Sequence, residues 1–135
     1  MAESAEKRPQ REFLPFWEGL RAQRLSFPRC EDCGRFHWYP MRLCPHCKSP
    51  RIAWTAVKGE GTLYSFTIVR YPFTPEYKDK VPYVVALVEF PDAPGVRLIT
   101  DLVDVPHERI RIGMKVKPIL PPTNEAYPKA LFTAA

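Results

Sequence analysis

The sequence predicts a mainly β protein: an N-terminal helix, a four-cysteine zinc ribbon, then a five-stranded barrel of the oligonucleotide/oligosaccharide-binding (OB) type. Three observations predict it. All four cysteines fall in one stretch, "RCEDCGRFHWYPMRLCPHCKSP", as two C-x2-C pairs. Downstream of that stretch the apolar residues settle into a period of two, the signature of half-buried strands. The 16 prolines among 135 residues favour short strands and firm loops over long helices.

The elements follow in chain order. Residues 1–12 read as a polar, flexible lead, and 13–28 as an amphipathic helix and linker. In "REFLPFWEGLRAQRL" the residues Phe13, Phe16, Trp17 and Leu20 recur at helical spacing, and Pro15 falls in the first turn, where a missing N–H costs least. The predicted helix covers 14–23. A terminal helix this short does not hold itself together in water, so its aromatic stripe must pack on its own domain or on a partner subunit.

Residues 29–49 form the ribbon. Cys30 and Cys33, then Cys44 and Cys47, supply two thiolates from each of two tight knuckles, together a tetrahedral four-sulfur set for Zn2+ or iron, with zinc favoured. A single redox dithiol needs one such pair rather than two. Four sulfurs leave no coordination position for water or substrate, so the metal is expected to be structural. His37 and His46 are then surplus as ligands and are expected at the surface or behind the ligands. The bulky run His37-Trp38-Tyr39 is expected to pack the ribbon against the barrel or to touch a partner.

Residues 50–120 are expected to form the barrel. The strand candidates are "RIAWTAVKG" (alternating at Ile52, Trp54, Ala56), "TLYSFTIVR" (Tyr64, Phe66, Ile68 on one face), "YVVALVEF", "VRLITDLV" (Val96, Leu98, Thr100, Leu102) and "MKVKPIL". Five short strands leave open edges unless the sheet closes on itself; an SH3-like barrel is the runner-up. Gly59 and Gly61 in "KGEGTL" read as a strand-entry turn or bulge, "FPDAPG" as a tight connection, and "DVPHERIRIG" as a helical turn with Asp104 able to cap it. Residues 121–135 read as an extended tail pinned by Tyr127, Leu131 and Phe132.

Charge and motif content narrow the function. The formal net charge of +5 is a mild basic bias. No apolar run is long enough to span a bilayer, the N-terminal "MAESAEKRPQ" lacks a signal core, and paired thiols at metal spacing suit a reducing cytoplasm. No serine elbow, H-E-x-x-H or phosphate-binding loop is present. His107 and Asp101 lack the companions a general acid or base requires. A nucleic-acid-binding reading would draw on Tyr64, Phe66, Tyr71, Phe73 and Tyr83 with Arg70, Lys78 and Lys80. Against it, Tyr64 and Phe66 look like core, and Glu76 and Asp79 offset the cations of "RYPFTPEYKDKVPY".

The segments "PFWEGLRAQRL", "RCEDCGRFHWYPMRLCPHCKS", "GEGTLYSFTIVRYPF", "PYVVALVEF" and "IRIGMKVKPIL", in that order over about residues 13–120, resemble the acyl-CoA-associated family catalogued as domain of unknown function family thirty-five. The resemblance implies a helical lead, a rubredoxin-like zinc ribbon on Cys30, Cys33, Cys44 and Cys47, and an OB-fold domain. It implies an accessory subunit of a thiolase-superfamily enzyme, an acyl-CoA thiolase or a thiolase-like aldolase, with the chemistry on the partner. Others of the family belong to acyl-CoA hydratase systems. Phe13, Phe16, Trp17, Leu20, Tyr71, Phe73, Tyr77 and Tyr83 are the expected interface. A channel for CoA or acyl-CoA shared with the partner is expected, and on charge alone Arg35, Arg42 and Lys48 are candidates for its phosphates. A stand-alone acyl-CoA hydrolase and a single-stranded nucleic-acid binder are the rival readings.

Overall fold

A computed structural model describes residues 11–135; most of the lead read over 1–12 lies outside them. Arg11–Phe13 make a 3-10 turn that runs into α1, Leu14–Arg21, with Pro15 in its first turn. The helix stops at a Schellman motif: Arg24 N–H donates to Gly19 O at 2.7 Å and Gln23 N–H to Leu20 O at 2.9 Å, with Gln23 left-handed at φ 59°. Gln23 is not the usual glycine of this position, but its side chain repays the strain by donating to Leu120 O at 2.9 Å. Gly19 lies so close to the returning chain that a Cβ would stand 3.0 Å from Arg24 O.

The strands are β1 Leu25–Cys30, β2 Ile52–Val57, β3 Gly61–Val69, β4 Tyr83–Phe90, β5 Ala93–Leu102, β6 Lys115–Ile119 and β7 Leu131–Ala134. β1 and β2 pair antiparallel as a two-stranded sheet that carries the ribbon. The other five close a barrel in the order β3-β4-β5-β7-β6, with β6 returning to β3. β5 and β7 are its one parallel pair, Asp101 opposite Leu131 and Leu102 opposite Phe132. This order, with the third and fifth barrel strands parallel, is that of the OB fold.

The barrel therefore has the expected number of strands but a different membership. The candidate at Ile52–Val57 lies outside it, paired with β1, which was read as linker. The fifth barrel strand is Leu131–Ala134, in the stretch read as tail. β1 contains Pro28, which lacks a ladder N–H, yet its neighbours Leu25 and Phe27 are almost fully buried, and that burial holds the strand. The chain reaches β7 by crossing α1: the Arg21 guanidinium donates to Ala126 O at 3.0 Å, and Tyr127 packs on Trp17 with ring centres 4.8 Å apart.

Alternation is clean in β4, where Val84, Ala86, Val88 and Phe90 point inward, and in β5, where Val96, Leu98, Thr100 and Leu102 do. β3 departs from the expected phase. Its pairing with β4 shifts between Leu63 and Ser65, so Leu63 is buried and Tyr64 is turned out. The Arg97 guanidinium covers the Tyr64 ring at 4.0 Å. Gly61 enters β3 where a Cβ would lie 2.6 Å from both Glu89 O and Val88 Cγ1, a barrel crossing too close for a side chain. The expected turn near 107 is a 3-10 turn, His107–Arg109; Asp104 does not cap it but stands in the left-handed region at φ 59°.

One core runs through both sheets. Phe27 of β1 meets Phe90 of β4 at 5.1 Å, and Phe90 meets Phe132 of β7 at 5.8 Å. Trp38 packs on Phe16, Phe27 and Trp54, wedging the ribbon loop beneath α1 and against the two-stranded sheet. Phe27 makes the ring-to-ring junction with the barrel, through Phe90, and Trp38 packs against the same core.

Candidate metal centre

Two knuckles of matching shape bring the cysteines together. In the first, Gly34 N–H donates to Cys30 O at 2.9 Å; in the second, Lys48 N–H donates to Cys44 O at 2.8 Å. Backbone amides also aim at sulfur, Cys33 N–H to Cys30 Sγ at 3.4 Å and His46 N–H to Cys44 Sγ at 3.3 Å. The rim is tied to the sheet. Arg51 reaches Asp32 at 2.7 Å and Glu31 at 3.1 Å, and Ser49 Oγ donates to Asp32. These ion pairs are largely exposed, so they fix geometry more than they add stability.

The four Sγ atoms lie within 4.8 Å of one another, with Cys30 and Cys47 3.5 Å apart and Cys33 and Cys44 3.7 Å apart. A tetrahedron with zinc–sulfur bonds of about 2.3 Å has edges of about 3.8 Å, so the donor set fits one Zn2+ closely. Cys30 and Cys44 face inward, while Cys33 and Cys47 are open to solvent. The thiols differ in acidity. The Cys33 N–H, then that of Asp32 and the neighbouring sulfurs, hold Cys30 down to about 6 against the opposing effect of burial. On Cys47 the Ser49 N–H favours the thiolate, but hydrogen bonding to Cys30, burial, and the sulfurs of Cys33 and Cys44 push the thiol up to about 12. Two sulfurs this close share a proton unless a cation neutralises both.

His37 is not at the surface, as the sequence suggested it might be. It is 4% exposed, both ring nitrogens lack a partner, and burial, then the charge of His46, lowers its pKa. It stands outside the sulfur cluster, as does the exposed His46. The sequence signal for His37 was its place between Phe36 and Trp38 in an aromatic run.

Two clefts are bordered by the ribbon loop and the barrel. The first, about 840 Å³, lies between α1, the ribbon loop and the barrel; Phe13, Trp17, Tyr39, Tyr77, Tyr83 and Tyr127 line it. At its edge Asp101 pairs with Lys129 at 3.7 Å. Five of the expected interface residues, Phe13, Phe16, Trp17, Tyr77 and Tyr83, thus line it, while Tyr71 and Phe73 stand out in solvent at 67% and 77% exposure. Phe16 and Leu20 are held in this chain's own core at 7% and 2% exposure, while Phe13 and Trp17 are half-buried and pack against that core. Phe66 also packs against the core, which withholds it from base stacking. The second cleft, about 1000 Å³, opens between the ribbon and the β4–β5 turn. It takes in Arg35 but neither Arg42 nor Lys48, which lie exposed elsewhere on the ribbon, and it adds Arg29 and Lys58. No helix among the described residues is long and apolar enough to cross a membrane.

Comparison with known proteins agrees with this architecture. Residues 17–53 match the rubredoxin-like zinc ribbon domain of ChsH2, and residues 54–119 its C-terminal OB-fold domain. A DUF35 domain-containing scaffold protein of Methanothermobacter thermautotrophicus is 32% identical over 94 residues, 69% of this chain and 68% of its own length. A probable enoyl-CoA hydratase alpha subunit of Thermomonospora curvata is 39% identical over 104 residues; the match takes in 75% of this chain but only 31% of that longer protein. Among solved structures, a chain of an Ltp2-ChsH2(DUF35) aldolase superposes with a TM-score of 0.80 at 32% identity, covering 94% of this chain and 98% of that one. With its four-sulfur ribbon and OB barrel in this order, the chain belongs to the ChsH2/DUF35 family.

Proposed function

We propose that this protein is a noncatalytic accessory subunit of a thiolase-superfamily enzyme, a thiolase or a thiolase-like aldolase, which it stabilises and whose CoA channel it helps to form. The observation that carries this reading is the near-complete superposition on the ChsH2(DUF35) chain of an aldolase. The site chemistry is consistent with it. A metal held by Cys30, Cys33, Cys44 and Cys47 has every position filled by sulfur and offers nothing to a substrate. Bound there, zinc supplies folding energy to the ribbon. The chain's own residues supply shape: Phe13, Trp17, Tyr77 and Tyr83 border an aromatic groove suited to a partner's apolar side chains, and Tyr71 and Phe73 extend that face. Cysteines paired at metal-binding spacing suit a reducing compartment, the cytoplasm.

A second reading, a subunit of an acyl-CoA hydratase, is favoured by the Thermomonospora curvata relative, whose alpha subunit contains the matching segment. Co-expression decides between them. The chain is produced with the thiolase-like or the hydratase-like protein encoded beside its gene, and the pair is passed through size-exclusion chromatography. Co-elution with a thiolase-like protein is the expected result. Separate elution at micromolar concentration counts against the first reading, and co-elution with a hydratase subunit selects the second.

A further inference from the structure

We propose that the aromatic cleft between α1, the ribbon loop and the barrel is a binding site for an organic cation, an amidinium, guanidinium or ammonium group carried on a flat apolar body. Two stacked pairs of rings line this cleft. Phe13 and Trp17, from the helical segment, have ring centres 5.6 Å apart and planes inclined by 24°. Tyr77 and Tyr83, from the barrel side, have centres 5.2 Å apart and planes inclined by 29°. A ring carries negative potential on its face, so walls of this kind attract a cation and repel an anion. Asp101 is the one acid among the lining residues and Lys129 the one lysine or arginine. On β5, Asp101 stands opposite Val85 of β4 and Leu131 of β7. Among the described residues its carboxylate, 30% exposed, has one partner, the Lys129 Nζ at 3.7 Å, on a side chain 66% exposed. A surface pair of this length is weak, and a bound cation displaces the lysine at little cost.

The chain's own cations show the same chemistry. The Arg97 guanidinium covers Tyr64 at 4.0 Å, that of Arg29 covers Phe36 at 5.4 Å, and the Lys80 ammonium lies 5.6 Å over Tyr77, a ring of this cleft. Among the described residues no cation of the chain stands over Phe13, Trp17 or Tyr83. These rings and Asp101 together make the receiving half of a cation site. Size sets the rest of the ligand. At about 840 Å³ the cleft exceeds a bare ammonium ion, and Val85 and Ile99 add apolar wall that suits a flat body behind the charge. The chain as a whole is positive, at +5, so its general field opposes a cation, and preference for one reports this site alone. Tyr71 and Phe73, exposed outside the cleft, remain available to a partner.

This inference goes beyond the subunit assignment and its test needs no partner protein, so either can fail alone. The zinc-loaded full chain is titrated with benzamidine, benzamide and benzoate, three flat molecules of nearly equal shape that carry positive, zero and negative charge. Tryptophan fluorescence follows binding, since Trp17 and Trp38 line the cleft. The expected result is benzamidine binding roughly tenfold or more tighter than benzamide, with benzoate weakest. Asp101→Asn, which keeps the shape of the side chain, should abolish the preference for benzamidine over benzamide. Tyr83→Leu should reduce that preference. Lys129→Ala should tighten benzamidine by about two- to fivefold, because the competing ammonium is gone. Asp92→Asn, outside this cleft, should leave binding unchanged. Zinc content and circular dichroism establish that the variants are folded. No binding of benzamidine at millimolar concentration overturns the proposal, as does benzamide binding equally tightly. A preference for benzamidine that survives Asp101→Asn overturns it, as does an equal loss in Asp92→Asn, because charge then acts without a site. Benzoate binding tighter than benzamidine shows that the net positive charge governs and likewise overturns it.

Discussion

Gly34 and Lys48 occupy the same place in the two knuckles: each follows the second cysteine of its pair, each donates its N–H to the carbonyl of the first, and each is left-handed, at φ 76° and φ 68°. Glycine accepts that conformation without strain, whereas a lysine Cβ is crowded by its own backbone, at about 1–2 kcal/mol. No hydrogen bond or ion pair holds the Lys48 side chain among the described residues, and it is exposed. Lys48→Gly should therefore stabilise the zinc-loaded protein, by about 1 kcal/mol after the entropy that glycine returns to the unfolded chain. Lys48→Ala should bring no such gain. Urea unfolding of the three proteins checks this, and equal midpoints for glycine and alanine would remove backbone strain as the explanation.

Phe27 is fully buried and links the ribbon sheet to the barrel through Phe90. Truncating it opens a cavity at the junction rather than at one end of the molecule. Phe27→Ala should cost about 3–5 kcal/mol. Tryptophan fluorescence reports the ribbon side, through Trp38 and Trp54, while amide exchange in β4 and β5 reports the barrel. Because one core runs through both, the two signals should fall together. A loss confined to the ribbon would show that the barrel stands without it.

The metal makes a pH-dependent prediction. The Cys30 thiol is held near 6, below its ordinary value, so this group favours the folded ribbon above that ordinary value, and the benefit is lost as the pH falls through about 6. Zinc binding displaces the protons that remain on the sulfurs and lowers the point of re-protonation further. Zinc followed with a chromogenic chelator should stay bound at pH 7 and be released with a midpoint below about 6. Cys30→Ser should lose the metal already at pH 7 and loosen the ribbon. Release from the unaltered protein at pH above 7 would contradict the tight four-sulfur fit.

Much of this arrangement is legible in the chain, and the exceptions have physical causes. Cysteine spacing is local information, because a knuckle is closed by hydrogen bonds three or four residues apart, so the sulfur cluster could be foreseen. The two-residue period exposes β4 and β5 directly, since one face of each is buried without interruption. Leu25–Cys30 was hidden because a proline and a metal ligand sit in a strand whose partner, Ile52–Val57, lies beyond the ribbon. Tyr64 faces outward because a register shift reverses the phase, and no residue type announces that shift. The pairing of Arg29 with Lys58 across a cleft depends on packing between elements, which periodicity does not record.

The same blindness to long-range pairing concealed β7, and β7 makes the last prediction. Leu131–Ala134 is only four residues long and follows a stretch rich in proline and polar residues, yet it is what closes the barrel. It pairs with β6 from Val116 to Ile119 and with β5 at Asp101 and Leu102, and it buries Phe132 completely. Removing it leaves two open edges and an exposed cavity where Phe132 had been. A chain ending at Lys129 should therefore be destabilised by more than the roughly 3–5 kcal/mol of Phe132→Ala alone, and it should self-associate through the freed edges. Trimming Ala135 only should change little, since the strand it follows stays paired. Light scattering and thermal melting of the three proteins distinguish these outcomes. A monomeric truncated chain that melts like the full one would mean that the barrel is closed without its fifth strand, and that residues 130–135 are the tail their composition suggests.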